Sequence, residues 1–520
     1  KRLYGLGSAA HGATPSQSIT SDGSRLRGQM TFSKDLARLK AEHPLFSNHY
    51  LDYAALKDAV SSTDVAKVMS LLRKELDKVN DIVEVEWEAL SREFKVRLRG
   101  ASEKPKEAVD SQSIDNLSQA VIRLHAFVEA NYLGFQKIMQ KCSGRQETAS
   151  CSWFIARVEA APFRQRSFDE LLVPLGRLYA SLRRQQGPGS HAALHGLEEQ
   201  AMPTEAEGGS QVFFLPAEQV MRVKVSLLKH LEPAATITKV KTTSGTRDTS
   251  KVKSDFSHKL THVYFDAPHG CQYAERLKRR VGGFPAAAPL TGSLIRCSVA
   301  GGQDEWKDPT HEVQVDVQDA QGQTSTFSLP QKAVPTLLAG TADPKVGGGA
   351  VAEVAEAISR DGLRPAVSAS FLRSSFIADG PSSAESQVGP KMVSIDEHVV
   401  FRDEAALADT KAWCSAASQG TTGTLPQVDF PGAILRVWLP SSSATSMLGL
   451  VGLSGFGLQV VPGFSEALHG TALLHRELAD PLPPWIPTET LVPMKHRSSL
   501  LAETSPPSAA AASAAAAAAA

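Results

Sequence analysis

The sequence predicts two folds in series, a mostly helical domain and then an α+β domain built on antiparallel strands. Three observations carry this. Apolar residues recur at helical spacing from Met30 to about Arg184. A Gly-, Pro- and Glu-bearing stretch at 185–210 then breaks the pattern with linker composition. Beyond it, short runs alternate in polarity, as half-buried strands do.

The helical elements follow from spacing. Leu36, Leu39 and Leu45 lead to Tyr53, Leu56 and Val60, and then to Val68, Leu71, Leu72, Leu76 and Val79. The last series continues through Val83, Trp87, Leu90 and Phe94, which predicts one long helix. A polar gap at Gly100–Ser113, with Pro105 inside it, separates a second long helix over Leu117–Cys142, and Phe168–Leu182 adds a third amphipathic segment. In the second half, strands are expected at Val212–Leu215, His262–Phe265, Leu294–Val299, Val313–Val317, Met392–Ile395, His398–Phe401 and Ala433–Leu439. Helices are expected at Ala217–Leu231 and Val351–Ser359, with Gly/Ser-rich loops at 242–251, 340–350, 378–390 and 415–425.

Composition bounds the function. With 520 residues the chain has room for two or three cores. Lys plus Arg and Asp plus Glu are both 55, which argues against a uniformly basic nucleic-acid binder. The five cysteines, Cys142, Cys151, Cys271, Cys297 and Cys414, lack CxxC spacing and read as isolated thiols, not a disulfide framework or zinc site. Residues 1–29 are Ser/Gly-rich without the apolar run of a signal peptide, and no stretch reads as a membrane span. Ser508–Ala520 is low-complexity Ala.

Two places in the helical half could meet a phosphorylated ligand. Tyr53 and Lys57 are four apart, as are Lys137 and Lys141, so each pair shares a helix face. Lysines supply adaptable point charges and the tyrosine a neutral donor. On spacing alone, a solvated face and a ligand pocket both remain open.

The stretch MTFSKDLARLKAEHPLFSNHYLDYAALKDAV resembles the start of an SPX domain, with its YxDYxxLK helix, and NYLGFQKIMQKC resembles the GFxKIxKK hallmark of that domain. The resemblance covers about 30–184 and implies an all-α module that senses inositol (pyro)phosphates, with Tyr53, Lys57, Lys137 and Lys141 as the inositol-phosphate-binding set. One family lysine is Gln140 here. Losing one cationic contact to a polyanion weakens binding by ~1–2 kcal/mol.

The second half resembles the tunnel domain of the vacuolar transporter chaperone (VTC) family, the polyphosphate polymerases. VFFLPAEQVMRVKVSLLKHLEP, LTHVYFDAPHGCQYAERLKRR, LRPAVSASFLRSSF, FPGAILRVWL, VPGFSEALHG and PPWIP carry the likeness. It implies an antiparallel β-barrel around a tunnel at 211–490, between the linker 185–210 and a low-complexity tail at 491–520. Polyphosphate synthesis in such a tunnel needs many Lys/Arg groups and a carboxylate-bound manganese or magnesium ion.

Matched to that pattern, this chain departs at charge after charge. Family cations fall at Val212, Ser298, Ser368 and Met392, and an acid, Asp316, stands in an ERK-like position. The metal-binding glutamate of LEVKL falls at Arg436, its neighbouring lysine at Trp438, and the two lysines of VPKFSK at Gly463 and Glu466. Arg276, Arg296 and Arg373 survive, either to hold polyphosphate weakly or as fold-supporting arginines.

The expectation is therefore a non-catalytic accessory subunit. It would have no cofactor and would sit with a catalytic VTC-type partner on a vacuolar or acidocalcisome membrane, its domains facing the cytosol. Attachment would come through C-terminal helices of the family type or through partners. The alternatives are a divergent metal-dependent polymerase or tunnel-fold triphosphatase, using manganese or magnesium and the Lys278–Arg279–Arg280 bank, and an SPX signalling scaffold.

Overall fold

The computed structural model describes residues 32–61, 65–103, 110–143, 148–185, 210–234, 236–238, 253–267, 273–274, 276–277, 294–300, 312–318, 324–338, 348–377, 392–405, 426–438, 453 and 455–486. The N-terminal extension, most of the linker, the Ala tail and Lys278–Arg280 lie outside them.

The helical half runs α1 (Phe32–Glu42), α2 (Tyr53–Ser61), α3 (Val65–Glu103), α4 (Ser111–Ser143), α5 (Thr148–Glu159), α6 (Pro162–Gln165) and α7 (Asp169–Gln185). Both long helices are present. Asp110 starts α4 by accepting from the backbone N–H groups of Gln112 (3.1 Å) and Ser113 (3.2 Å), a carboxylate cap on otherwise unsatisfied donors. Pro162 opens α6, where a missing N–H costs nothing.

The second half runs β1 (Ser210–Pro216), α8 (Val220–Leu228), β2 (Glu232–Pro233), β3 (Thr236–Thr238), β4 (Lys253–Asp255), β5 (Ser257–Asp266), β6 (Leu294–Ala300), β7 (Glu312–Gln318) and β8 (Thr324–Pro330). It continues with α9 (Val334–Leu338), α10 (Gly348–Asp361), β9 (Arg364–Ile377), β10 (Met392–Asp403), β11 (Gln427–Asp429), β12 (Gly432–Trp438), β13 (Gln459–Val460) and α11 (Glu466–Leu474). One antiparallel sheet is ordered β13-β1-β12-β10-β9-β5-β6-β7-β8, with β11 added to β10 and β2 to β9. The expected barrel is not shown. Among the described residues the path is open, with no pairing between its end strands β13 and β8.

The alternation of side chains gives the sheet two packed faces. Val263, Phe265, Ile295, Cys297, Val313 and Val315 meet Val351, Val354, Ala355 and Ile358 of α10 on one of them. The other packs Val212, Tyr264, Phe371, Phe401, Ile434 and Phe464 with Ala467, Leu468 and Ala472 of α11. The strands expected at Met392–Ile395 and His398–Phe401 are one strand, bent by a register shift between Glu397 and Val400 where His398 takes φ of 52°. Periodicity missed β9, whose Ser and Ala positions lack strand propensity although it pairs with β5, β10 and β2.

The chain condenses as two compact units. One holds the described residues up to Val85 with those of Phe127–Gln165, the other the described residues of Glu86–Ala126 and those from Arg166 on. Cys142 and Cys297 are buried thiols outside any disulfide. Among the described residues, no helix is long and apolar enough to cross a membrane.

Candidate functional site

In the first unit, Tyr53 opens α2 with Lys57 one turn on, and Lys137 and Lys141 stand on α4. The Asp52 carboxylate caps α2 by accepting from the Ala55 N–H at 3.0 Å. The Leu51 N–H donates to Asn131 Oδ1 of α4, and the Asp52 N–H to Glu75 of α3, each at 2.8 Å. Lys78 of α3 donates to the Tyr50 carbonyl at 3.0 Å. The entrance of α2 is thus bound to both long helices.

Gly134 permits this approach. A Cβ there would lie 2.5 Å from Leu51 Cδ2 and 3.1 Å from Phe32 Cζ, closer than packed carbons allow. Phe32 in turn meets the Tyr53 ring edge-on, with centroids 4.7 Å apart. Lys137 and Lys141 stand three and seven residues beyond Gly134, on the same helix face. The α4 face that meets the start of α2 is therefore the face that carries both lysines.

Lys57 and Lys141 are exposed and Lys137 is half-buried; none of the three ammonium groups pairs with a carboxylate among the described residues. Burial of Tyr53 raises its hydroxyl pKa, so it stays a neutral donor. Chemically, three ammonium groups and a neutral phenol donor are a set suited to a phosphorylated ligand. Gln140, exposed between the two lysines, contributes no charge.

In the second unit, the face of the sheet covered by α11 carries a buried polar chain. Arg373 of β9 grips Asp396 of β10 with two bonds, 2.6 and 2.8 Å. Asp396 Oδ2 accepts in addition from Arg436 of β12 at 3.3 Å, and Arg436 reaches on to Glu466 at the start of α11. His262 of β5 donates to Glu466 at 2.9 Å, and the Tyr264 hydroxyl donates to the same oxygen. Farther along the sheet, Arg296 holds Asp316 through bonds of 3.0 and 2.7 Å, and Thr326 donates to Asp316 at 2.7 Å.

The electrostatics follow. Burial alone would raise the Glu466 carboxyl, but Arg436, His262 and Arg373 hold it well below the usual range. Asp316 is likewise lowered by Arg296 against its own burial. Burial pushes His262 down, which keeps it neutral. Among the described residues, Arg296, Arg373 and Arg436 thus stand against Asp316, Asp396 and Glu466.

The arginines left open as weak polyphosphate contacts or fold-supporting groups all have protein partners. Arg296 and Arg373 grip carboxylates, and Arg276 donates to the Phe265 carbonyl (3.4 Å) with Asp266 at 3.8 Å. Other departures are absorbed into the fold. Ser368 donates to Glu404 at 2.6 Å, while Val212 and Met392 are buried. A divalent cation does not fit beside Arg436, because Asp396 and Glu466 are already bound to its guanidinium, which would repel a metal. Among the described residues, no group of three or more His, Cys, Asp or Glu is placed to hold a metal ion.

Sequence reasoning missed Asp396, His262 and Tyr264, and it noted Arg436 and Glu466 only as separate losses. Their opposite signs were the available signal, since an acid turned basic and a base turned acidic could restore one pair.

The model of the VTC domain matches residues 209–475. The chain is 23% identical over 492 residues to vacuolar transporter chaperone complex subunit 4 of Schizosaccharomyces pombe, covering 84% of this chain and 63% of that protein. It thus spans less than two thirds of that relative's length. It is 36% identical over 66 residues to vacuolar transporter chaperone complex subunit 2 of Toxoplasma gondii, covering 13% of this chain and 5% of that protein. Among solved structures, the SPX domain of Chaetomium thermophilum glycerophosphodiester phosphodiesterase 1 in complex with inositol hexakisphosphate matches 30% of this chain and 100% of its own. That match has 20% identity and a TM-score of 0.24.

Proposed function

The chain belongs to the VTC domain family, and from that premise we propose that it is an inositol (pyro)phosphate-sensing accessory subunit of a VTC-type polyphosphate polymerase complex. Its own tunnel-like domain is catalytically silent. The observation that carries the silent half is Arg436, buried between Asp396 and Glu466. Phosphoryl transfer to a growing polyanion is mostly charge stabilisation by cations and metal, and an interior neutralised by its own carboxylates supplies neither.

The sensing half rests on the cationic face of α4 at the entrance of α2. An inositol pyrophosphate would meet Lys57, Lys137 and Lys141 as point charges and the Tyr53 hydroxyl as a donor. In this reading the second unit serves as a barrel-like scaffold that holds a catalytic partner at a vacuolar or acidocalcisome membrane.

The test uses the full chain in two assays. Incubated alone with ATP and manganese, it forms no polyphosphate; metal-dependent product would make it an enzyme and end the silent half. Titrated calorimetrically with an inositol pyrophosphate, it shows saturable binding that a Lys137→Ala, Lys141→Ala variant loses. A folded wild-type chain that binds nothing would leave only a scaffold.

A further inference from the structure

The exposed face of α5 carries a feature that neither proposed site uses. Trp153 is 48% exposed, whereas Trp87, Trp438 and Trp485 are buried. Two guanidinium groups lie against its ring, that of Arg73 from α3 at 5.4 Å and that of Arg157 at 5.8 Å from the centroid. Arg157 stands one turn beyond Trp153 on the same helix, and both arginines are exposed. Neither pairs with a carboxylate among the described residues, although Asp77 lies one turn along α3 from Arg73.

A cation–π contact with the indole restrains each guanidinium and leaves its N–H groups available for a carboxylate. A large exposed ring in contact with two exposed arginines has the composition of a binding hot spot, where Trp and Arg are enriched. The opposite face of α5 is committed to the core through Phe154 and Val158, so the exposed face is not needed to hold the helix.

We propose that Arg73, Trp153 and Arg157 form a docking site for an acidic segment of a partner protein. Carboxylates would pair with the two guanidinium edges, and an apolar side chain would cover the indole. Charge complementarity selects an acidic occupant. The neighbouring positions select protein over lipid. Ala156 and Ala160 share the exposed face with Trp153 and Arg157, and they are small and flat. A helix that inserts into a bilayer needs several bulky apolar residues on that face, whereas small residues let a second backbone approach. This site shares no residue with Tyr53, Lys57, Lys137 and Lys141, and it stands whether or not the sensing proposal does.

The test measures fluorescence anisotropy of a labelled synthetic peptide of alternating Glu and Leu against the full chain. Vesicles of phosphatidylserine and phosphatidylcholine form a parallel arm. The proposal expects saturable, salt-sensitive peptide binding that falls at least tenfold in Trp153→Ala and in Arg73→Glu, Arg157→Glu, with Lys137→Ala, Lys141→Ala unchanged. All three positions are exposed, so the melting temperature of each variant should stay at the wild-type value. Equal peptide affinity in wild type and variants would overturn the proposal. So would vesicle binding that depends on Trp153 while the peptide does not bind, which would assign the face to lipid.

Discussion

At the scale of single residues, the interior of the second unit shows how a charge can change sign and still be held. Breaking one member of a buried pair strands its partner without water, which typically costs ~3–5 kcal/mol. Arg436→Met should therefore destabilise the protein by about that amount in urea unfolding, because Asp396 and Glu466 both lose a cation. Arg436→Glu should be worse, placing three carboxylates together. Adding Glu466→Lys should recover part of the loss, and a double-mutant cycle with additive effects would show that the two side chains are not coupled. A second residue-scale prediction concerns His469, which is buried among Phe214, Phe401, Phe430 and Phe464 with its pKa pushed down to about 4 by burial. The unfolded chain protonates this histidine near 6.5 and the folded chain does not. Stability is therefore full above that pH and declines as pH falls from 6.5 toward 4, by roughly 3 kcal/mol at the lower end. His469→Phe should flatten that part of the Tm–pH curve; an unchanged slope would remove the histidine from the account.

At the scale of elements, α7 and α8 show how helices flanking a linker are fixed to a sheet within the second unit. Asp169, at the start of α7, accepts from the Ser257 N–H at 2.8 Å and hydroxyl at 2.9 Å, tying the helix to the first residue of β5. Near the other end, Arg183 donates to the carbonyls of Leu228 (2.9 Å) and Lys229 (3.0 Å), which closes the C-terminus of α8. Tyr179 donates to Asp115 of α4 at 2.8 Å, and Asp115 pairs with Lys229 at 2.9 Å. Midway, Gly176 lets α7 lie against Pro233, whose Cδ would stand 2.9 Å from an added Cβ. Gly176→Val should thus force helix and strand apart and lower Tm by several degrees, more than Arg177→Val on the exposed side of the same helix. Equal shifts would mean that helix propensity, not packing, sets the effect. In the first unit the same logic applies to Gly134. Gly134→Ala should weaken inositol pyrophosphate binding at least tenfold without touching a ligand-facing group, because the Leu51 contact that seats α2 would be displaced.

At the scale of the whole molecule, the boundary drawn from composition and the boundaries of compactness follow different lines. Composition changes at 185–210, yet the second unit includes Glu86–Ala126 and Arg166–Gln185 from the helical half. A fragment ending before the linker removes Lys229 and Ser257, the partners of Asp115 and Asp169. We expect residues 30–184 alone to melt well below the full chain by circular dichroism at 222 nm. An equal Tm would show that the helical half is self-sufficient. What the sequence alone determined is what depends on neighbours in the chain: the two long helices, the change to strands after the linker, and the pairing of lysines on one face of α4. Periods of 3.6 and 2 are local, so they are legible before folding. The tertiary structure decided which charges meet. Arg373 and Asp396 are 23 residues apart, Arg436 and Glu466 30, and His262 and Glu466 204. Strand order and the return of α11 bring them together, and in a buried, weakly screening interior that proximity turns two candidate anion contacts, Arg296 and Arg373, into halves of buried ion pairs.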